Sequence, residues 1–156
     1  MKSDFTFHLP PTGENKKLLE KIRTTNSVSI HIRRGDYLQG KNPQYHGNLS
    51  LQWYKQAINL IKGKVNNPIF FFFSDDMERV KQHFNNDIYI NNNQNKNSWE
   101  DMRLMSECKH NIIANSSFSR RGAWLNANPE KIIIAPKLWT ISNENNDIIP
   151  QPRIKI

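Results

Sequence analysis

An α/β fold with a Rossmann-like, mainly parallel sheet and flanking helices is what this chain predicts, and three observations carry the prediction. Short β-branched or aromatic runs alternate with stretches of helical period, the pattern of a sheet covered by helices. Ile69-Phe70-Phe71-Phe72-Phe73 is apolar without alternation, which fits a strand buried on both faces and predicts a central place in the sheet. Finally, the β-branched run Val28 to Ile32 empties into Arg33-Arg34-Gly35-Asp36, and strand ends are where open α/β sheets place their ligands.

Residues 1–27 read as a lead-in, with Met1 to Gly13 irregular around Pro10-Pro11 and Glu14 to Arg23 helical. The strands expected after it are Val28 to Ile32, Pro68 to Ser74, Asp87 to Ile90, Asn111 to Asn115 and Lys131 to Ala135. Helices are expected between them. The first spans Ser50 to Lys62. The second spans Asp75 to Phe84, where Asp75 and Glu78 have capping-box spacing. The third, Ser98 to Cys108, has Ser98 as its N-cap and carries Trp99, Met102, Met105 and Cys108 three apart, a core-facing stripe. The fourth, Ser117 to Asn126, opens at Ser116-Ser117-Phe118-Ser119. Asn91-Asn92-Asn93-Gln94-Asn95 is too polar to pack and reads as a solvated loop. Residues 137–156 lose the pattern at Asn143-Glu144-Asn145-Asn146 and end as an extended tail with two prolines. There are no internal repeats.

A chain of 156 residues is sized for one domain, which buries roughly two-thirds of its unfolded surface without a metal or disulfide staple. Its single cysteine, Cys108, excludes a disulfide framework and a Cys-based zinc site. No apolar run approaches the ~20 residues of a membrane span, and the first residues lack the apolar core of a secretory signal. A soluble, cytoplasmic chain is expected. The net charge of +8 points to an anionic partner. The basic residues are nevertheless scattered, with no aromatic-interleaved stripe, so a small phosphorylated ligand explains the Arg pair better than nucleic acid does.

Each guanidinium of Arg33 and Arg34 is permanently ionised and offers a rigid fork of donors to phosphate oxygens. The competing reading pairs one of them with Asp36 and leaves the other in solvent. His31 lies two residues before Arg33, so on an extended strand both point to one face. Asp101 falls on the first turn of its helix, where it complements the dipole. Ser116 and Ser117 follow a strand and open a helix, an arrangement that caps the helix and also faces free N–H groups toward an anion. No His, Cys and carboxylate cluster with metal-ligand spacing is visible.

The string His31-Ile32-Arg33-Arg34-Gly35-Asp36-Tyr37 resembles the signature of the α-1,2-fucosyltransferases, part of a wider set of inverting fucosyltransferases with an His-x-Arg-Arg-x-Asp motif. Further segments agree in order: Tyr45-His46-Gly47, Phe73-Ser74-Asp75-Asp76, Trp99-Glu100-Asp101-Met102, Ile112 to Ser119 and Gly122-Ala123-Trp124-Leu125. The resemblance implies that residues 1–156 form one donor-binding lobe, the C-terminal half of a two-lobe, GT-B-like glycosyltransferase. The implied reaction moves L-fucose from GDP-fucose to the 2-hydroxyl of a galactoside with inversion, without a metal or other cofactor. Arg33 then holds the phosphate of departing GDP and Arg34 supports it. His31 contacts the guanine side, Asp101 accepts hydrogen bonds from guanine N1 and N2, and Ser116, Ser117 and Phe118 face the diphosphate. A bacterial cytoplasm is the implied location.

Two departures from the family pattern stand out. Arg120, Arg121 and Arg153 occupy positions where the family usually has tryptophan, and nothing resembles the family's N-terminal lobe with its Gly-Asn-Gln segment. Both fit a lobe separated from its partner, its exposed tryptophans replaced for solubility. A non-catalytic, engineered GDP-binding fragment is therefore the alternative to an active transferase.

Overall fold

The computed structural model describes residues 10–33, 49–84, 88–93, 97–114, 116–136 and 154–156. Helix α1 (Gly13–Thr24) leads into β1 (Asn26–Ile32). Then follow α2 (Leu51–Lys64), β2 (Pro68–Ser74), α3 (Met77–His83), β3 (Ile88–Ile90), α4 (Trp99–Glu107), β4 (His110–Ile112), α5 (Ser117–Leu125), β5 (Ile133–Ala135) and β6 (Ile154–Lys155). The six strands are all parallel in the order β3-β2-β1-β4-β5-β6. The chain works outward from β1 to β3 and then returns to the other side of β1, so the strand order reverses between β1 and β4.

The period of two along each strand sorts the apolar residues between two helical layers. Val28, Ile30, Ile32, Phe70 and Phe72 pack with Tyr54, Ala57 and Ile61 of α2 and with Met77 and Val80 of α3. Phe71, Phe73 and Ile90 pack with Leu18, Leu19 and Ile22 of α1 and with Leu104 and Met105 of α4. Ala123 of α5 covers Ile113, Ile133 and Ala135. The phenylalanine run therefore serves both layers, and truncating any of these rings to alanine costs about 3–5 kcal/mol.

That run is interior but not central: β1 and β4 hold the middle, with β2 next to β1. A strand carrying Ser27 and Ser29 tolerates the central place because its hydroxyls are satisfied. Ser27 Oγ accepts from the Lys109 N–H at 3.1 Å, and Ser29 Oγ accepts from Asn111 Nδ2 at 2.7 Å. Asn111 Nδ2 also donates to the Met105 carbonyl at 2.9 Å, while its Oδ1 accepts from Asn126 Nδ2 at 2.7 Å. Lys131 Nζ donates to the Asn126 carbonyl at 2.8 Å, so a buried cation meets the negative end of α5. This network fastens β1, β4 and the C-terminal ends of α4 and α5.

Several local expectations change. Helix α3 begins later than expected, with Asp76 at the N-cap and no side-chain cap bond; Ser74 Oγ instead accepts from the Asp76 N–H at 3.0 Å. The Asp75–Glu78 capping box is therefore absent. Ser98 stands at the N-cap of α4 in helical conformation and makes no side-chain cap bond. On the expected α4 stripe Met102, Met105 and Cys108 are buried, but Trp99 stays partly exposed beneath the Arg103 guanidinium, 4.9 Å from its ring centre. Strand β4 begins and ends earlier than expected, and β5 is shorter than expected. At the end of the tail, Ile154–Lys155 pairs with β5, and the Ile156 carbonyl accepts from Trp53 Nε1 at 2.9 Å.

One glycine is explained by packing. A Cβ added at Gly122 of α5 would lie 3.0 Å from Met105 Cβ of α4, a contact so tight that Met105 would have to give by a few tenths of an ångström.

Candidate functional site

The crevice beyond the carboxyl ends of the strands, beside the point where strand order reverses, is where this topology leaves room for a ligand. A cavity of about 480 Å³ lies at those ends, within the roughly 300–1,000 Å³ of ligand pockets. His31 and Arg33 enter it from the end of β1, two residues apart on one face as the strand period requires. Phe73, Ser74 and Asp75 come from the end of β2, and Ile90, Asn91 and Asn93 from the end of β3. Helix α4 adds Ser98, Asp101 and Met105, while Ser116 and Phe118 line it from the start of α5.

Helix α5 follows β4 directly and starts at this cavity. Ser116 is its N-cap, with extended backbone, and its Oγ accepts from the Phe118 N–H at 3.1 Å. Capping thus falls to Ser116 rather than Ser117. The positive end of a nine-residue helix faces the cavity, which also holds the Arg33 guanidinium, so the site favours an anion.

The His31 ring stands 5.8 Å from the Phe118 ring, and its Nδ1 is covered with no hydrogen-bond partner among the described residues. Burial, and secondarily the Arg33 charge, pull its pKa down to about 4, so the imidazole is neutral near pH 7 with one donor and one acceptor nitrogen. Asp101 moves the other way, up to about 7. Burial is the main cause, a hydrogen bond from Asn93 opposes it, and the neighbouring Glu100 charge adds to it. The cavity therefore combines the Arg33 charge and the start of α5 with a carboxyl group whose charge is in balance near neutrality.

The structure brings His31, Arg33, Asp101, Ser116 and Phe118 together from three separate parts of the chain. Ser117 is the exposed first residue of α5 and is not in the lining. Arg120 is half-buried and Arg121 exposed on the same helix. Arg34, Asp36, Tyr45-His46-Gly47 and Arg153 lie outside the described residues. Among the described residues no group of three or more His, Cys, Asp or Glu could hold a metal ion.

The reading of Asn91 to Asn95 as a wholly solvated loop is corrected at Asn93. That residue is 5% exposed, lines the cavity, and donates from Nδ2 to Asp101 Oδ1 at 2.9 Å. Its place directly after a parallel strand was the available signal. Asn15, its partner from α1, had none, because the two are 78 residues apart.

A family model described as Glycosyl transferase family 11 matches residues 13–149. The chain is 44% identical over 143 residues to an alpha-1,2-colitosyltransferase of Escherichia coli, which covers 88% of this chain and 49% of the relative. It is 39% identical over 127 residues to the O-antigen biosynthesis glycosyltransferase WbnK of Escherichia coli, covering 79% and 42%. Identity to the galactoside 2-alpha-L-fucosyltransferase SEC1 of Bos taurus is 26% over 132 residues, covering 78% and 36%. The chain spans about half the length of the bacterial relatives it matches. No helix among the described residues is long and apolar enough to cross a membrane.

Proposed function

The chain belongs to glycosyl transferase family 11, and from that premise we propose that its cavity is a donor site for GDP-fucose in α-1,2-fucosyl transfer. The observation that supports this most is the meeting of His31 and Arg33 with Asp101 and the start of α5 around one cavity. Displacement at an anomeric carbon builds negative charge on the departing diphosphate, and preorganised donors lower the barrier by holding it. Arg33 supplies a bidentate fork for that charge, and the first turn of α5 at Ser116, Ser117 and Phe118 adds N–H groups and dipole.

An ionised Asp101 in the same cavity presents two acceptor oxygens to guanine N1–H and N2–H. His31 lies beside the nucleotide as a neutral ring whose Nδ1 is unmatched among the described residues. In this reading the chain is the C-terminal, donor-binding lobe, and L-fucose leaves it with inversion for the 2-hydroxyl of a galactoside. The acceptor site and general base belong to the partner lobe. Without that lobe, the same site makes a GDP-binding fragment with no transfer activity.

A second donor is favoured by the 44%-identical relative, whose name assigns it colitose. Colitose is fucose lacking one hydroxyl, so a GDP-colitose donor fits the same phosphate and base contacts.

Calorimetric titration with GDP, ADP, GDP-fucose and GDP-colitose tests the proposal. GDP is expected to bind at least about tenfold more tightly than ADP, one well-made contact to a charged group being worth about 1.5–3 kcal/mol. The tighter of the two GDP-sugars identifies the donor. Equal affinity for GDP and ADP would sink the guanine assignment. Binding that instead falls steeply with salt and ignores the base would indicate a nucleic-acid surface.

A further inference from the structure

A carboxylate that reads guanine must be ionised and held in one orientation, and burial works against the first condition. Asp101 meets that conflict without a cation: among the described residues it forms no ion pair, and its side-chain hydrogen bond comes from the neutral Asn93. Asn93 is itself held by a reciprocal amide pair. Asn15 Nδ2 donates to Asn93 Oδ1 at 2.7 Å, and Asn93 Nδ2 donates back to Asn15 Oδ1 at 2.8 Å. Asn92 Nδ2 reinforces both acceptors, at 3.0 Å to Asn15 Oδ1 and 3.3 Å to Asn93 Oδ1. With one Asn93 proton used on Asn15 and the other on Asp101 Oδ1, the amide has a single workable orientation. Reversing it would set its carbonyl against the carboxylate and its NH₂ against the Asn15 NH₂.

We propose that the Asn15–Asn93 amide pair is a positioning device for guanine recognition, anchoring Oδ1 of Asp101 so that the carboxylate stays ionised and oriented for the nucleobase. The proposal rests on the reading of Asp101 as the guanine acceptor. It gives a task to two residues outside the Arg-Arg motif, one of them on α1, which contributes nothing to the cavity lining. Among the described residues, His31 and Arg33 from β1 and Asp75 after β2 share the cavity lining with Asp101, and Glu100 is its charged neighbour on α4. Among the described residues, helix α1, Asn91–Asn93 after β3 and the start of α5 bring neutral groups to this site, Asn15, Asn93, Ser116 and Phe118. The amide is therefore the group that offsets burial, and losing it shifts Asp101 further toward its neutral form.

The test measures GDP and ADP affinities of the 156-residue chain from pH 5.5 to 9. In the parent, the preference for GDP over ADP should strengthen with pH and level off above about 7, because the ionisation of the terminal phosphate at about pH 6 is common to both nucleotides and cancels in the ratio. In Asn93→Ala this profile should move toward alkaline pH by about one unit, with GDP affinity at pH 7 down about tenfold and ADP affinity unchanged. Asn15→Ala should move it the same way by less, and it decides the matter if Asn93→Ala does not fold. A structural role alone would weaken both nucleotides and leave the profile in place. Parent-like profiles in the folded variants overturn this inference while leaving the donor site standing. A parent chain that does not prefer GDP over ADP overturns the donor reading and this inference with it.

Discussion

Replacing Asp101 by asparagine should make the protein more stable and bind GDP less well. The carboxyl group has a pKa of about 7 in the folded chain against 3.8 when free, so the native state holds this proton more tightly than the unfolded state. Stability from this group is then fully present below pH 3.8 and is lost as pH rises through 7. Between pH 5 and 7 the loss is at most about 3 kcal/mol, and the partial exposure of the residue reduces it to about 1–2 kcal/mol. Asparagine has the same shape, keeps an oxygen for Asn93 Nδ2, and has no charge to desolvate. Each kcal/mol moves the melting temperature of a chain this size by about 2–4 °C, so the Asn variant should gain about 3–6 °C on the parent between pH 5 and pH 8. Its amide NH₂ would face the guanine donors, so GDP affinity at pH 8 should fall about tenfold to a hundredfold. Thermal unfolding at the two pH values and calorimetry with GDP and ADP measure both effects. Lower stability at pH 8 would refute the reasoning in favour of a helix-dipole role, worth about 0.3–1 kcal/mol in the opposite direction. Retained guanine preference would refute the recognition role.

Arg33→Ala should lower GDP affinity at least about tenfold with the fold intact, and Arg33→Lys should restore only part of it because the fork is lost; parent-like binding by the Ala variant removes Arg33 from the phosphate site. Gly122→Ala places a Cβ 3.0 Å from Met105 Cβ, so chemical denaturation should show a loss of about 1–3 kcal/mol, and an unchanged midpoint would mean that α4 and α5 separate freely. His31 has a folded pKa of about 4 against 6.5 when free, so its contribution is present above pH 6.5 and lost as pH falls through 4. Its ring resonances should accordingly stay those of neutral imidazole at pH 5.5, and titration near 6.5 would show that the ring is solvated.

Much of the fold could be read locally because each strand and helix declares itself by its period. The alternation of β-branched or aromatic runs with helical stretches implied parallel strands, and six parallel strands are present. Buried apolar runs such as Phe70 to Phe73 were equally plain, since burial on two faces leaves no polar alternation to hide them. Part of the cavity lining was legible for the same reason: His31, Arg33, Ser116 and Phe118 sit at strand ends and helix starts, positions that local pattern identifies. Membership of glycosyl transferase family 11 was also written in ordered short segments along the chain.

Strand order was not a local property. The serines of β1 suit a central strand because Asn111 and the Lys109 N–H, 82 residues away, supply their partners. Asn93 looked like one more solvated residue in an asparagine run, and only the approach of Asn15 and Asp101 made its amide a buried, fully used group. The opposite displacements of His31 and Asp101 likewise came from what the folded chain packs around them, since the ionised form of either group loses water on burial. Sequence by itself determined that His31, Arg33, Asp101, Ser116 and Phe118 stand at strand ends and helix starts. The tertiary structure alone decided which face each group shares, what partners it finds and which charge it carries, because desolvation and hydrogen-bond partnering depend on neighbours that the chain order does not bring together.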